Sequence, residues 1–401
     1  MTQSPPAVGE LPMTRPPGCP FDPAEELTRL RRERPLVRMR YPDGHLGWLV
    51  TSHALVRSVL ADPRFSTRAE IAHSPFPGAA ALMEFPPAAP GMFLQMDAPE
   101  HTRYRRMLTG KFTVRRMRRL AEHVEKVATE QLDHMERMGP PVDLVRAYAQ
   151  PVPALMICEL LGVPYADREL FRDTATTAND PDATQDELDR AMAGSVGYLR
   201  DLVRAKRAEP TDDLLGDLAT TGLTDEELVN IAILLMGAGL ETTSSMLALG
   251  TFALLGRPEQ LDAWRADGDL TDGAVEELLR YLTITPFLGR AALEDVELGG
   301  EVVRAGEMVT LAVHAADRDP ARFADPDDLD LRRSAVGHLA FGHGIHQCLG
   351  QQLARVEMRV AFPALFRRFP TLRLAVPPEE VPLNHSQISG VLRLPVTWDG
   401  A

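Results

Sequence analysis

The sequence predicts a mainly α-helical fold with a smaller β region, organised as one large domain. Three features carry that prediction. Apolar residues recur at helical spacing through most of Ala98 to Gly256. Two-residue alternation is confined to Leu36–Val50 and Leu293–Val313. No internal repeat and no clean linker divides the 401 residues.

Residues 1–20 are rich in proline and lack an apolar run, so they read as a flexible arm and not as a secretion signal. Residues 21–401 form the expected domain. AEELTRLRRE is a short helix, and Leu36–Val50 is a hairpin turning at Asp43-Gly44. HALVRSVLAD is a second short helix. Ser66–Gln95 is loop-like, and loops of about thirty residues inside compact domains are usually functional. The helical stretch that follows is cut by Gly-Pro-Pro near 139, by Gly162-Val163-Pro164 and by the turn Asn179–Thr184. Thr271–Leu282 is a helix, and Gly299-Gly300 turns between strands. DRDPARFADPDDLDLRR is irregular. A long helix runs from about Leu349 to Phe369, with loops and short strands after Pro377.

Composition narrows the function. With 43 Lys+Arg against 57 Asp+Glu, the net charge is −14, which argues against nucleic acid or an anionic membrane as the main partner. Three cysteines make no disulfide framework and suit a reducing, cytoplasmic location. Leu228–Gly256 is the strongest membrane-span candidate. Glu241 and a Thr-Thr-Ser-Ser run split its apolar halves, so a buried core helix is expected instead.

The most informative segment is FGHGIHQCLG, residues 341–350. Its glycines allow a tight bend and close approach to a ligand. Cys348 lies just before a helix, where unpaired amides and partial positive charge favour a thiolate. Such a thiolate suits a nucleophile, a zinc ligand or a haem ligand. Zinc is poorly served, because no second cysteine or paired histidine sits at ligand spacing. A Cys–His nucleophile using His343 or His346 stays open.

Phe341, Gly342, Gly344, His346, Cys348 and Gly350 match, position by position, the haem-thiolate signature of the cytochrome P-450 family, and the resemblance extends over nearly the whole chain. It implies that family's fold, with haem b between the long central helix and the Cys-loop helix. It also implies that Cys348 is the axial ligand, that loop amides temper its electron donation, and that Phe341 packs beside the sulfur.

In the central helix, Gly237, Ala238 and Gly239 are small enough to let a flat ligand approach. Mid-helix Thr242 can bond the carbonyl of Ala238. AGLETT resembles the family's acid–alcohol motif. That implies catalytic roles for Glu241, gating protons, and Thr242, holding dioxygen or a water.

Glu277 and Arg280 share a helix face. The resemblance makes them a structural pair, with Arg322 as the expected third partner. His101 and Arg105 also share a face, and with Arg290 and His346 they match the clamp for the haem propionates. The segment His101–Arg119 holds eight basic residues and no acidic one. The resemblance places it on the cysteine side of the haem, where it could steer an acidic ferredoxin. No reductase domain fits the length, so electrons are expected from separate ferredoxin and ferredoxin reductase proteins.

Candidate substrate-lining residues are Phe85, Met92, Phe93, Leu94, Leu234, Phe287, Leu288 and Ile388. The expected protein is a monomeric monooxygenase. It hydroxylates or epoxidises a bulky apolar compound, with a macrolide or other polyketide leading. The rivals are a peroxide-driven peroxygenase and a non-catalytic haem- or partner-binding accessory protein.

Overall fold

The computed structural model describes residues 8–16, 19–78, 85–178, 183–385 and 387–399. Its organising element is the central helix, Asp225–Leu255, about 46 Å long at 1.5 Å per residue. A capping box starts it: Glu227 N donates to Thr224 Oγ1 at 3.2 Å, and Thr224 N donates to Glu227 Oε2 at 2.6 Å. Arg103 and Tyr104 also donate to Glu227, at 2.6 and 2.7 Å. Burial would raise this carboxyl, but the Arg103, Thr224 and Tyr104 bonds outweigh it and hold the group at about 2. A pKa depressed in the folded state contributes stability above the ordinary value of 4.5, lost as pH falls through about 2. Glu227→Gln is therefore expected to cost about 2–3 kcal/mol at neutral pH. The gap from wild type should close towards pH 2 in urea titrations.

The central helix is long and apolar enough to cross a membrane by length and composition, and half of its apolar window is buried here. Helices Pro151–Leu161, Gln185–Ala208 and Gln351–Arg368 pack against it. Two of its glycines serve this packing. A Cβ on Gly239 would stand 3.0 Å from Ile157 Cδ1, and one on Gly250 would lie 2.5 Å from the Phe362 ring. Gly239 thus makes room for a neighbouring helix and not for a flat ligand. Helix Val114–Met138 lies along Gln351–Arg368 and completes the main core.

The β region is a five-stranded sheet in the order Leu36–Arg40, Leu46–Val50, Met308–Ala312, Phe287–Ala292, Phe65–Ser66. Leu46–Val50 pairs in parallel with Met308–Ala312, with Leu49 opposite Thr310; the other pairings are antiparallel. Alternation sorts the side chains. Trp48, Val50, Val309 and Leu311 fill one apolar cluster, while Leu49, Met308, Ala312 and Phe287 fill another on the opposite face.

The hairpin, the two short helices, Thr271–Leu282 and the Gly299-Gly300 turn all form where the sequence places them. The arm differs. Residues 1–7, 17 and 18 lie outside the described residues, but Val8 pairs with the hairpin, donating to Arg38 O at 2.8 Å and accepting from Arg40 N at 2.9 Å. Leu11 is buried, and Arg15 donates to Ser389 Oγ at 2.9 Å. The exposed edge of strand Leu36–Arg40 offered unpaired amides, and this segment takes them up.

Candidate functional site

The Cys loop runs from the irregular segment into helix Gln351–Arg368. Cys348 N donates to Phe341 O at 2.9 Å, and Gly342 N to Leu339 O at 2.7 Å. Gly344 has φ +76, and a Cβ there would strike Leu60 O at 2.2 Å, so this glycine seats the loop on helix His53–Ala61. Burial pushes the Cys348 thiol up. Against it act the N–H groups of Gly350 and Gln351 and the charges of Arg105 and Arg355, which all favour the thiolate. Among the described residues no histidine bonds the thiol: His346 meets Thr67 Oγ1 at 3.3 Å and packs on His101, ring centres 4.2 Å apart. A Cys–His nucleophile therefore lacks its base. No cluster of three or more His, Cys, Asp or Glu among the described residues is placed to hold a metal.

His101, Arg105, Arg290 and His346 were expected as a propionate clamp. His101 is 1% exposed, and neither of its ring nitrogens has a partner; His346 Nδ1 is likewise buried and unpartnered. Arg290 is buried and, among the described residues, bonds only the backbone O of Gly289, at 2.7 Å. Burial pushes its guanidinium down to about 10. Arg105 donates to Gln347 O at 2.6 Å. Burial, then the neighbouring His101, Arg290 and Arg105, push His346 down to about 3. A buried guanidinium without a carboxylate partner is costly, and so is a buried imidazole nitrogen without a hydrogen bond. Their complement is an anionic group with several acceptor oxygens, and the two propionates of haem have that chemistry. The residues present fit the group.

Gly237 and Ala238 are exposed midway along the central helix, with nothing within 4 Å of a Cβ built on Gly237. Thr242 Oγ1 donates to Ala238 O at 2.6 Å, the back-bond its position predicts. Glu241 lines a different space, a polar cavity of about 20 Å³ shared with Gln150, Ser244, Ser245 and Asn384. That is room for about one water. Burial raises the Glu241 carboxyl above its ordinary value, so it holds its proton more readily.

Glu277 and Arg280 are fully buried and paired twice, at 2.7 and 2.8 Å. The third partner is Arg333, whose Nε donates to Glu277 Oε1 at 3.1 Å, and not Arg322. Arg322 is exposed, bonds Val336 O and lies over Phe323. The irregular segment turns so that Arg333, the last of its four arginines, faces the helix and Arg322 does not. Nothing local separates the two. Sequence reasoning also missed Asp317, which accepts from Thr283 Oγ1 at 2.9 Å and Leu339 N at 2.7 Å and so ties the same helix to the Cys loop.

The substrate candidates scatter. Phe93 packs on His101 and Tyr104 in the main core, and Phe287 sits between Phe76 and His314 on the sheet's far face. Both are core residues and not lining. Phe287 opens strand Phe287–Ala292. Met92, Leu234, Leu288 and Ile388 are half-buried, whereas Phe85 and Leu94 are exposed.

The basic segment is largely neutralised by acidic residues from elsewhere. Arg103 pairs with Glu227, Lys111 and Arg116 with Asp217, and Arg115 and Arg119 with Asp212. Among the described residues Arg106 and Arg118 have no carboxylate partner. Arg106 borders a cavity of about 420 Å³ with His101, Arg105 and exposed Ile345 of the Cys loop.

Residues 186–397 match the family model described as Cytochrome P450. Cytochrome P450 105C1 of a Streptomyces species is 49% identical over 382 residues, 94% of this chain and 96% of that protein. Pentalenic acid synthase of Streptomyces avermitilis is 45% identical, covering 95% of each. The crystal structure of CYP105P1 in complex with filipin I superposes with a TM-score of 0.90 at 41% identity, over 98% of this chain and 100% of that one.

Proposed function

The chain belongs to the cytochrome P450 family of haem-thiolate monooxygenases, and from that premise we propose that it hydroxylates or epoxidises a bulky apolar natural product, a macrolide or other polyketide first. Two electrons come from a separate ferredoxin and ferredoxin reductase. One oxygen atom of dioxygen enters the substrate, and the other leaves as water with two protons. The relatives' names support a natural-product substrate: one is a pentalenic acid synthase, and another was crystallised with filipin I. The observation that carries the reading is the cluster of His101, Arg105, Arg290 and His346 beside Cys348, in which, among the described residues, no carboxylate bonds either guanidinium and both ring nitrogens of His101 are buried without a partner.

Bound there through Cys348, haem supplies oxygen activation. The chain's residues do the rest. The guanidiniums of Arg105 and Arg290, with the ring N–H groups of His101 and His346, would hold the propionates, and Gly237 and Ala238 leave an open stretch on the central helix. Thr242 spends its hydroxyl proton on Ala238 O, so its lone pairs are free to accept a hydrogen bond from a water molecule. Glu241, whose carboxyl favours its protonated form, holds a proton at its oxygens and releases it through the adjoining water-sized cavity. Arg106, Arg118 and exposed Ile345 support docking of an acidic ferredoxin on the cysteine side, on a narrower patch than eight free charges would make.

The test is a panel of macrolides, terpenoids, steroids and peptides titrated into haem-loaded protein. Binding is read from the Soret shift and products from mass spectrometry, with ferredoxin and its reductase supplying electrons. Hydrogen peroxide alone sustaining the same turnover would favour the peroxygenase reading. Thr242→Ala is expected to keep electron uptake while product per electron pair falls at least about tenfold, less than the roughly 10²–10⁴ that a positioned proton donor can supply. Unchanged coupling would remove Thr242 from the relay.

A further inference from the structure

A charged cluster that the steps above do not use joins helix Thr271–Leu282 to the Cys loop and the helix after it. Arg355 Nε donates to Glu276 Oε1 at 2.6 Å, and its Nη2 to Oε2 at 2.9 Å, a bidentate pair. His338 Nε2 meets the same carboxylate at 3.1 Å, and His338 Nδ1 accepts from Ala340 N at 3.2 Å. The Arg355 guanidinium lies over the ring of Phe341, 4.6 Å from its centre. Phe341 O in turn accepts from Cys348 N at 2.9 Å. Helix Thr271–Leu282 thus turns Glu277 towards Arg280 and the adjacent Glu276 towards the Cys loop.

The Glu276 carboxyl is ionised at neutral pH. Burial would raise the Glu276 carboxyl, but His338 and Arg355 hold it at about 2. The positive charge of Arg355 reaches the Cys348 sulfur and favours its anionic form, as does that of Arg105. Outer partners of a metal ligand commonly tune the metal it holds.

We propose that Arg355, oriented by Glu276 and His338 and stacked on Phe341, is a positioning residue that sets how strongly the Cys348 sulfur donates electrons to iron. The proposal rests on Cys348 as the axial ligand. A cation near the sulfur draws electron density back and favours the reduced state of the metal. Glu276 damps that cation while holding it in place.

The two charges therefore predict shifts of opposite sign. Anaerobic redox titration of the haem-loaded, substrate-free protein against mediator dyes reads them. Arg355→Gln is expected to move the ferric–ferrous equilibrium about tenfold towards ferric, ~59 mV for one electron. Glu276→Gln, which leaves Arg355 without its counter-charge, is expected to move it several-fold towards ferrous. Arg355→Lys keeps the charge but loses the fork and the planar stack, and should fall between wild type and Arg355→Gln. Thermal midpoints and ferrous carbon monoxide spectra of the same samples complete the test. A purely structural cluster lowers thermal stability in all three variants and shifts the equilibrium in one common direction, or by less than about twofold. Either result overturns the proposal, and should Arg355→Gln fail to retain haem, the other two variants decide. A wild-type carbon monoxide spectrum lacking the thiolate band would instead sink the ligand assignment, which separates the two failures.

Discussion

Cys348→Ser is expected to abolish the thiolate-type carbon monoxide spectrum and to lower product formation more than about a hundredfold, beyond the 10–100-fold that loss of an outer-shell partner costs. A serine hydroxyl does not ionise near neutral pH, so the groups that favour an anion at residue 348 find no anion to favour. The amides of Gly350 and Gln351 and the charges of Arg105 and Arg355 are such groups. The substitution changes one atom, and the loop keeps the Gly342 and Gly344 turns that seat it. No other cysteine substitutes. Cys158 is buried within a helix, its thiol pushed up to about 12 by burial, and Cys19 packs against the main core. A variant that keeps the thiolate band in the ferrous carbon monoxide complex would exclude Cys348 as ligand.

Glu277→Gln is expected to destabilise the protein by about 3–5 kcal/mol, the cost of breaking a buried pair from one side. Glu277 is 0% exposed and accepts from Arg280 twice, from Arg333 and from Asp330 N. A glutamine side chain there keeps one acceptor oxygen but no charge, and the carbonyls of Asp317, Pro326 and Asp328 bond the Arg280 guanidinium without neutralising it. Arg322→Ala, on the surface, should stay within about 0.5 kcal/mol of wild type. Arg333→Ala should fall between the two. Urea titrations of the three variants rank them; Arg322→Ala proving as costly as Arg333→Ala would restore Arg322 to the cluster.

Thr242 and Arg333 mark where the sequence was legible and where it was not. The back-bond of Thr242 to Ala238 is set by helical periodicity alone, and the capping box at Thr224 and Glu227 is equally local. The choice of Arg333 over Arg322 depends on how an irregular seventeen-residue stretch folds back, and both arginines look alike in sequence. The basic segment misled for a related reason. Its eight charges fall within one short segment, His101–Arg119, but Asp212, Asp217 and Glu227, which pair five of them, come from about a hundred residues away.

What the sequence determined by itself is whatever short-range geometry dictates. That covers the helices and hairpin, the glycine turns around Cys348 and its place at a helix start, and the family these residues announce. Only the tertiary structure decided which strands became neighbours, as with Leu46–Val50 beside Met308–Ala312. It also decided which arginine completes the Glu277 cluster, which aromatic residues are core, and which surface charges are left free. Backbone periodicity and capping act over a few residues. Side-chain pairing and burial depend on distances in space, and the folded chain sets those across hundreds of positions.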